Sequence, residues 1–152
     1  MKLLPIVLLF GCFWTSVQSI DPVKVDALCH AIAKVEGFGK AGTLPTRLHN
    51  PGDLKSGIGV PKLKGQKGVD KAGHIIFATD AAGWAALHDY VLKIVEGRSK
   101  RYRPTTTLTQ MSKVYAQNWR PWAARVAREL DVSPDIRIID FVQKRDFHKH
   151  LW

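Results

Sequence analysis

The stretch from residue 40 to residue 73 constrains the fold most, because it is rich in glycine, proline and lysine and cannot continue a helix. Only short pieces within or just after it have the residues typical of strands, namely residues 58–60 and 74–78. We therefore expect loops around a small, irregular β-hairpin in this part of the chain.

On both sides of this stretch, apolar residues recur at helical spacing. Asp21 and Pro22 can begin a first helix, and Gly37 can end it. Asp80 is predicted to cap the next long helix, and further helices are predicted to start at Thr107 or Thr109, at Pro121 and at Ser133. The predicted fold class is mainly α (α+β): a helical domain with a small β-hairpin insertion after its first helix.

The N-terminus differs from the rest of the chain. A short basic start is followed by an apolar run too short to span a membrane, and then by small residues at the −3 and −1 positions of a cleavage site after Ser19. This pattern predicts a signal peptide over residues 1–19, a single domain over residues 20–152, and export to the periplasm or outside the cell. A lipoprotein anchored through Cys12 is the less favoured alternative.

Removal of the signal peptide would leave Cys29 as the only cysteine, so no internal disulfide could form and the core must hold the domain together. Cys29 lies in an apolar helical pattern, which favours a buried thiol over a nucleophile. The cysteines and histidines show no zinc spacing, and we expect neither a metal nor a cofactor.

The formal net charge of +10 and a pI near 9.9 favour an acidic partner. Nucleic acid is the usual inference for such a chain. An exported protein, however, first meets the anionic cell envelope, so we expect an envelope surface and no nucleic acid. We also expect a monomer.

Glu36, at the end of the first helix, is the first candidate for chemistry. A carboxyl group there faces the negative end of the helix dipole, which favours its neutral form, and shielding by Val35 and Phe38 would act in the same direction. A carboxylic acid that keeps its proton near neutral pH can serve as a general acid. The alternative is a solvated residue at a helix end.

Three motifs follow one another along the chain: Glu36-Gly37-Phe38, then Asn50-Pro51-Gly52-Asp53-Leu54, then the segment from Phe77 through Gly83 to Leu87. In this order and spacing they resemble the lysozyme-like, lytic-transglycosylase-type wall hydrolases of bacteria and their phages. The resemblance extends from residue 27 to about residue 140.

This resemblance implies a lysozyme-like fold with a groove for a peptidoglycan glycan strand. Glu36 would protonate the oxygen between N-acetylmuramic acid and N-acetylglucosamine. The resemblance also implies substrate binding by residues of the later motifs and of the third helix: Asn50, Asp53, Phe77 and Tyr115. The product would be a 1,6-anhydro end in a transglycosylase that needs one carboxylate, or a reducing end in a muramidase.

Several of these residues have a second interpretation. Asn50 and its neighbours form a strong turn sequence, and Tyr115 lies among apolar positions that favour core packing. Asp53 stands where the family usually has Asn. It could be a second carboxylate of a hydrolase, or it could only accept a backbone hydrogen bond in the turn. The whole domain could also be a non-catalytic basic module that binds the envelope or nucleic acid on a lysozyme-like scaffold.

Overall fold

The computed structural model describes residues 19–57 and 61–143. In this part of the chain, six helices accompany a two-stranded antiparallel sheet, so the α+β class is confirmed. The elements are α1 (Pro22–Glu36), α2 (Leu44–Arg47), β1 (Gln66–Val69), β2 (Ile75–Phe77), α3 (Asp80–Val95), α4 (Leu108–Tyr115), α5 (Trp119–Glu129) and α6 (Ile138–Val142). Residues 1–18 of the predicted signal peptide, with the Cys12 alternative, lie outside the described residues, as does the predicted strand at 58–60.

Helix α1 has the ends that the sequence predicts. The side chain of Asp21 accepts a hydrogen bond from the backbone N–H of Val23 (3.0 Å), and Pro22 is the first helical residue. Gly37 follows the helix with φ of 86°, a left-handed conformation that glycine adopts without strain. Glu36 is therefore fixed as the last residue of the helix.

The later helices depart from the prediction at their ends. Thr79, rather than Asp80, caps α3, because its hydroxyl accepts the N–H of Ala82 (3.2 Å). Helix α5 begins at Trp119, before Pro121, and α6 begins at Ile138, after a turn that includes Ser133. For α4, Thr107 is the N-cap of a full capping box.

Helix α1 lies at the centre of the packing. It contacts α3, α5 and α6, while α4 packs on α5 and β2 contacts α3. Cys29 on α1 is completely buried in this core, as predicted. Burial, together with the charge of nearby Asp26, raises the pKa of its thiol to about 12. In the described part of the chain, none of the helices has the length and apolar character needed to cross a bilayer.

The second and third sequence motifs pack directly against each other. A Cβ atom on Gly83 of α3 would lie 2.0 Å from the carbonyl oxygen of His49, and one on Gly52 would lie 2.8 Å from the Leu87 side chain. The two glycines therefore let the turn at residues 50–53 rest on α3. His49 itself has φ of 53°, a left-handed conformation that is uncommon for residues other than glycine.

The hairpin is joined to the same turn. Strands β1 and β2 pair with an irregularity between Gln66 and Gly68, and a further bridge links Lys55 to His74. At the other end of the fold, Ile20 pairs with Gln143, and the N–H of Asp21 donates to the carbonyl of Val142 (2.7 Å). The first and last described segments are therefore adjacent.

Candidate active site

A cleft of about 420 Å³ opens where the C-terminal end of α1 faces the turn at residues 50–55, the start of β2 and the α4–α5 connection. Six of its lining residues carry polar or ionisable groups that matter for chemistry: Glu36, Asp53, Lys55, His74, Tyr115 and Arg125. The first and second motifs therefore contribute to one site.

Glu36 lies half-buried in this cleft. Its Oε1 accepts a hydrogen bond from Nε1 of Trp122 on α5 (2.6 Å). The guanidinium of Arg125 donates to the carbonyl of Val35 (3.2 Å), which keeps a positive charge close by. Burial raises the pKa of Glu36, and the charge of Asp53 adds to this, while Trp122 and Arg125 act against it. The predicted direction of the shift is confirmed.

Asp53 does not behave as a simple turn residue. Its backbone has φ of 46°, and its N–H donates to the Asn50 carbonyl (3.0 Å). The carboxylate makes no turn hydrogen bond: Oδ2 lies 3.6 Å from Nε2 of His74, and Oδ1 is buried without a partner among the described residues. The interpretation of Asp53 as a backbone acceptor is therefore wrong. Burial raises the pKa of Asp53, against the charges of His74 and Lys55.

His74, at the start of the hairpin's second strand, is 9% exposed and lies between two carboxylates. Its Nδ1 is 3.0 Å from Oδ2 of Asp70, whose Oδ1 accepts the backbone N–H groups of Ala72 (2.9 Å) and His74 (2.8 Å). Partial desolvation disfavours ionisation of Asp70, but these hydrogen bonds outweigh it and lower its pKa. Neither residue was predicted to belong to a site, although Asp-Lys-Ala-Gly-His is a turn that brings residues i and i+4 together.

Tyr115 packs against the core, which confirms one of its two interpretations, and it also lines the cleft. Its ring packs against that of Trp122, with 5.0 Å between centroids, and its hydroxyl donates to the carbonyl of Gly52. Burial raises the pKa of this hydroxyl, and the charge of Glu36 adds to the shift. Tyr115 thus borders the cleft as a neutral group and ties helix α4 to the turn at residues 50–53.

Asn50 and Phe77 do not line the cleft. Asn50 is fully buried: its Nδ2 donates to the carbonyls of Leu54 and Ile75, and its Oδ1 accepts the N–H of Leu54, all at 2.9 Å. Phe77 is 1% exposed in the core. Side chains that are buried in the fold cannot contact a sugar, so the substrate-binding roles predicted for these two residues are corrected to structural ones.

No family model, no curated protein and no solved structure matches the chain. What the cleft can do must therefore be inferred from its own side chains.

The arrangement is suited to proton transfer at two places. Glu36 has an environment that favours its protonated form, and Asp53, which borders the same cleft, is next to an imidazole and an ammonium group. Two carboxyl groups in different surroundings can divide the roles of acid and base. No group of three or more His, Cys, Asp or Glu side chains within residues 19–57 and 61–143 could hold a metal ion.

Proposed function

We propose that this protein cleaves peptidoglycan glycan strands between N-acetylmuramic acid and N-acetylglucosamine, with Glu36 as the general acid. One observation carries the proposal: a half-buried carboxyl group with a raised pKa lies in a cleft at the end of α1. The motif resemblance to lysozyme-like, lytic-transglycosylase-type enzymes supports the same activity and a lysozyme-like fold.

The reaction begins when Glu36 donates its proton to the bridging oxygen. The bond between that oxygen and the anomeric carbon breaks, and the positive charge on the sugar is quenched by a nucleophile. Water gives a reducing end, as in a muramidase. The 6-hydroxyl of the sugar gives a 1,6-anhydro end, as in a lytic transglycosylase, with Glu36 taking up the hydroxyl proton.

The charge of the protein fits a polymer that carries peptide carboxylates. The chain has a formal net charge of +10, and Lys55 and Arg125 place two cationic groups at the cleft itself. We therefore include the anionic envelope as the surface on which the protein acts, after export to the periplasm or outside the cell. Neither a nucleic acid nor a cofactor is part of this proposal.

Digestion of purified peptidoglycan, followed by mass spectrometry of the fragments, tests the activity. Glu36→Gln removes the proton donor with little change of shape, and loss of a general acid typically costs about a hundred- to ten-thousand-fold in rate. Glu129→Gln is the matched control, because Glu129 is on the surface in an ion pair with Lys34. We expect loss of cleavage in the first variant and parental cleavage in the second.

The non-catalytic alternative gives a different result. A binding module would sediment with peptidoglycan but release no fragments, and Glu36→Gln would bind as the parent does. That pattern would overturn the assignment of Glu36 as an acid.

A further inference from the structure

The side chains of Asp53, His74 and Asp70 form a chain that leads from the cleft into the hairpin. Asp70 accepts hydrogen bonds at both oxygens, two of them from backbone N–H groups, which favours its ionised form. Nδ1 of His74 must therefore carry a proton, because it faces the Asp70 carboxylate at 3.0 Å. The other ring nitrogen, Nε2, points toward Asp53.

Asp53 and His74 face each other beside the cleft. Nε2 of His74 and Oδ2 of Asp53 are 3.6 Å apart. Burial raises the pKa of Asp53, and the charge of His74 acts against this and favours the ionised carboxylate. Asp53 and His74 therefore form an electrostatic pair beside the cleft that Glu36 also lines.

A purely structural role does not explain Asp53. Its carboxylate makes no hydrogen bond in its own turn, and its Oδ1 is buried without a partner in the described part of the chain. A buried unpaired carboxylate oxygen costs stability, and such costs are concentrated at functional sites. About a quarter of the side chain remains exposed, at the border of the cleft.

We propose that Asp53 is the catalytic base of a hydrolytic reaction and that His74, held by Asp70, is the residue that positions it. This inference rests on the proposed glycan cleavage and decides between its two products. The oxygen of a water molecule bonds to the anomeric carbon while the bond to the leaving oxygen breaks. Glu36 gives its proton to the leaving oxygen, and Asp53 takes one from the water. Solvent then returns a proton to Glu36 and removes one from Asp53.

Asp53→Asn is the first test. Asn tolerates the left-handed backbone at this position and has nearly the same size, so the turn persists. We expect the rate of release of reducing ends to fall by about a hundredfold or more, with the remaining product enriched in 1,6-anhydro ends. Asp89→Asn is the matched control, because it removes a surface carboxylate from α3, and it should cleave as the parent does.

Asp53→Gly provides a second test. Glycine also accepts the positive φ of this position and leaves a space where the carboxylate was. Added formate can enter that space and act as the base, so we expect it to restore reducing ends in a concentration-dependent way. The same concentrations should leave Asp53→Asn unchanged, because its amide fills the space.

His74→Gln tests the positioning role through a pH profile. The titratable and charged groups that face Asp53 are Glu36 from α1, Lys55 from its own turn, Tyr115 from α4, and Asp70 and His74 from the hairpin. His74 lowers the pKa of Asp53, so its removal should move the acidic limb of the rate profile to higher pH. The value of kcat should fall more than KM rises, because the substrate need not contact His74.

The two proposals can fail separately. If the parent cleaves peptidoglycan but releases only anhydro ends, or if Asp53→Asn releases reducing ends at the parental rate, the base is not Asp53 and the role of Glu36 stands. If the parent releases no fragments at all, the proposed function itself fails.

Discussion

The two walls of the cleft are built in different ways. On the helix wall, Glu36 is the last residue of α1, and the preceding turns of that helix are buried in the apolar core. The indole N–H of Trp122 donates a hydrogen bond to the Glu36 carboxyl group. On the hairpin wall, Asp53 is placed by a hydrogen-bonded turn and is next to an imidazole. One carboxyl group is therefore positioned by packing and the other by polar contacts, which gives the two groups different surroundings.

The largest effect, a loss of stability, should come from replacing Asn50, whose side chain hydrogen-bonds within the hairpin wall. In Asn50→Leu, three backbone groups lose their partner: the carbonyls of Leu54 and Ile75 and the N–H of Leu54. A buried group left unpaired costs about 1–3 kcal/mol, so we expect the free energy of unfolding to fall by roughly 3 kcal/mol or more. Denaturant titration measures this change.

Asn118→Leu is the control for this change. Asn118 is exposed and makes no cap hydrogen bond with its side chain, so its replacement should change stability by less than about 0.5 kcal/mol. Equal effects of the two variants would show that the hairpin wall does not depend on the amide of Asn50.

A smaller effect should come from Gly83, where the hairpin wall rests on α3. In Gly83→Ala the new methyl group would lie 2.0 Å from the His49 carbonyl oxygen, so the turn must move. Overpacking of this kind typically costs about 1–3 kcal/mol. Gly68→Ala in β1 is the matched control, because no atom lies within 4 Å of the added carbon. A loss of stability in Gly68→Ala as large as in Gly83→Ala would contradict the close contact.

The smallest effect should come from Trp122→Phe on the helix wall, and it should appear in the pH dependence of the rate. The Trp122 N–H hydrogen bond lowers the pKa of Glu36, so its removal should raise that pKa further. In the proposed reaction Glu36 acts while it is protonated, so the rate should fall as pH rises through its pKa. We therefore expect the basic limb of the profile to move to higher pH.

Trp119→Phe is the control, because the ring of Trp119 contacts Lys113 and Arg120, whereas it is Trp122 that donates to Glu36. The basic limb of the pH–rate profile of Trp119→Phe should coincide with that of the parent. A limb that moves to lower pH in Trp122→Phe would show that the indole does not hold the ionised form of Glu36.

The helix wall could be predicted from the sequence because local signals determine it. Asp21, Pro22 and Gly37 define the ends of α1 without any knowledge of the rest of the chain, so Glu36 was placed correctly. The start of α5 was predicted less well, because the helix begins at Trp119 and not at Pro121.

The hairpin wall could be predicted only in part, because contacts between distant residues build it. The turn at residues 50–53 was recognised, but the bond from Asn50 to Ile75 crosses 25 residues and leaves no local trace in the sequence. The pairing of Asp53 with His74 depends in the same way on how the hairpin folds back. Only these long-range contacts distinguish Asn50, which has a structural role, from Asp53, for which a chemical role is proposed.

The bridge between Ile20 and Gln143 has a consequence for how the domain can be connected. The chain enters and leaves the described fold at one point, where Lys24 also donates to the Gln143 carbonyl (3.2 Å). A short peptide could therefore join residue 143 to residue 20, and new termini could be opened in the loop after α3, where Arg98, Lys100 and Arg101 are exposed. By the same geometry, the domain could be inserted into a surface loop of another protein without forcing that loop apart.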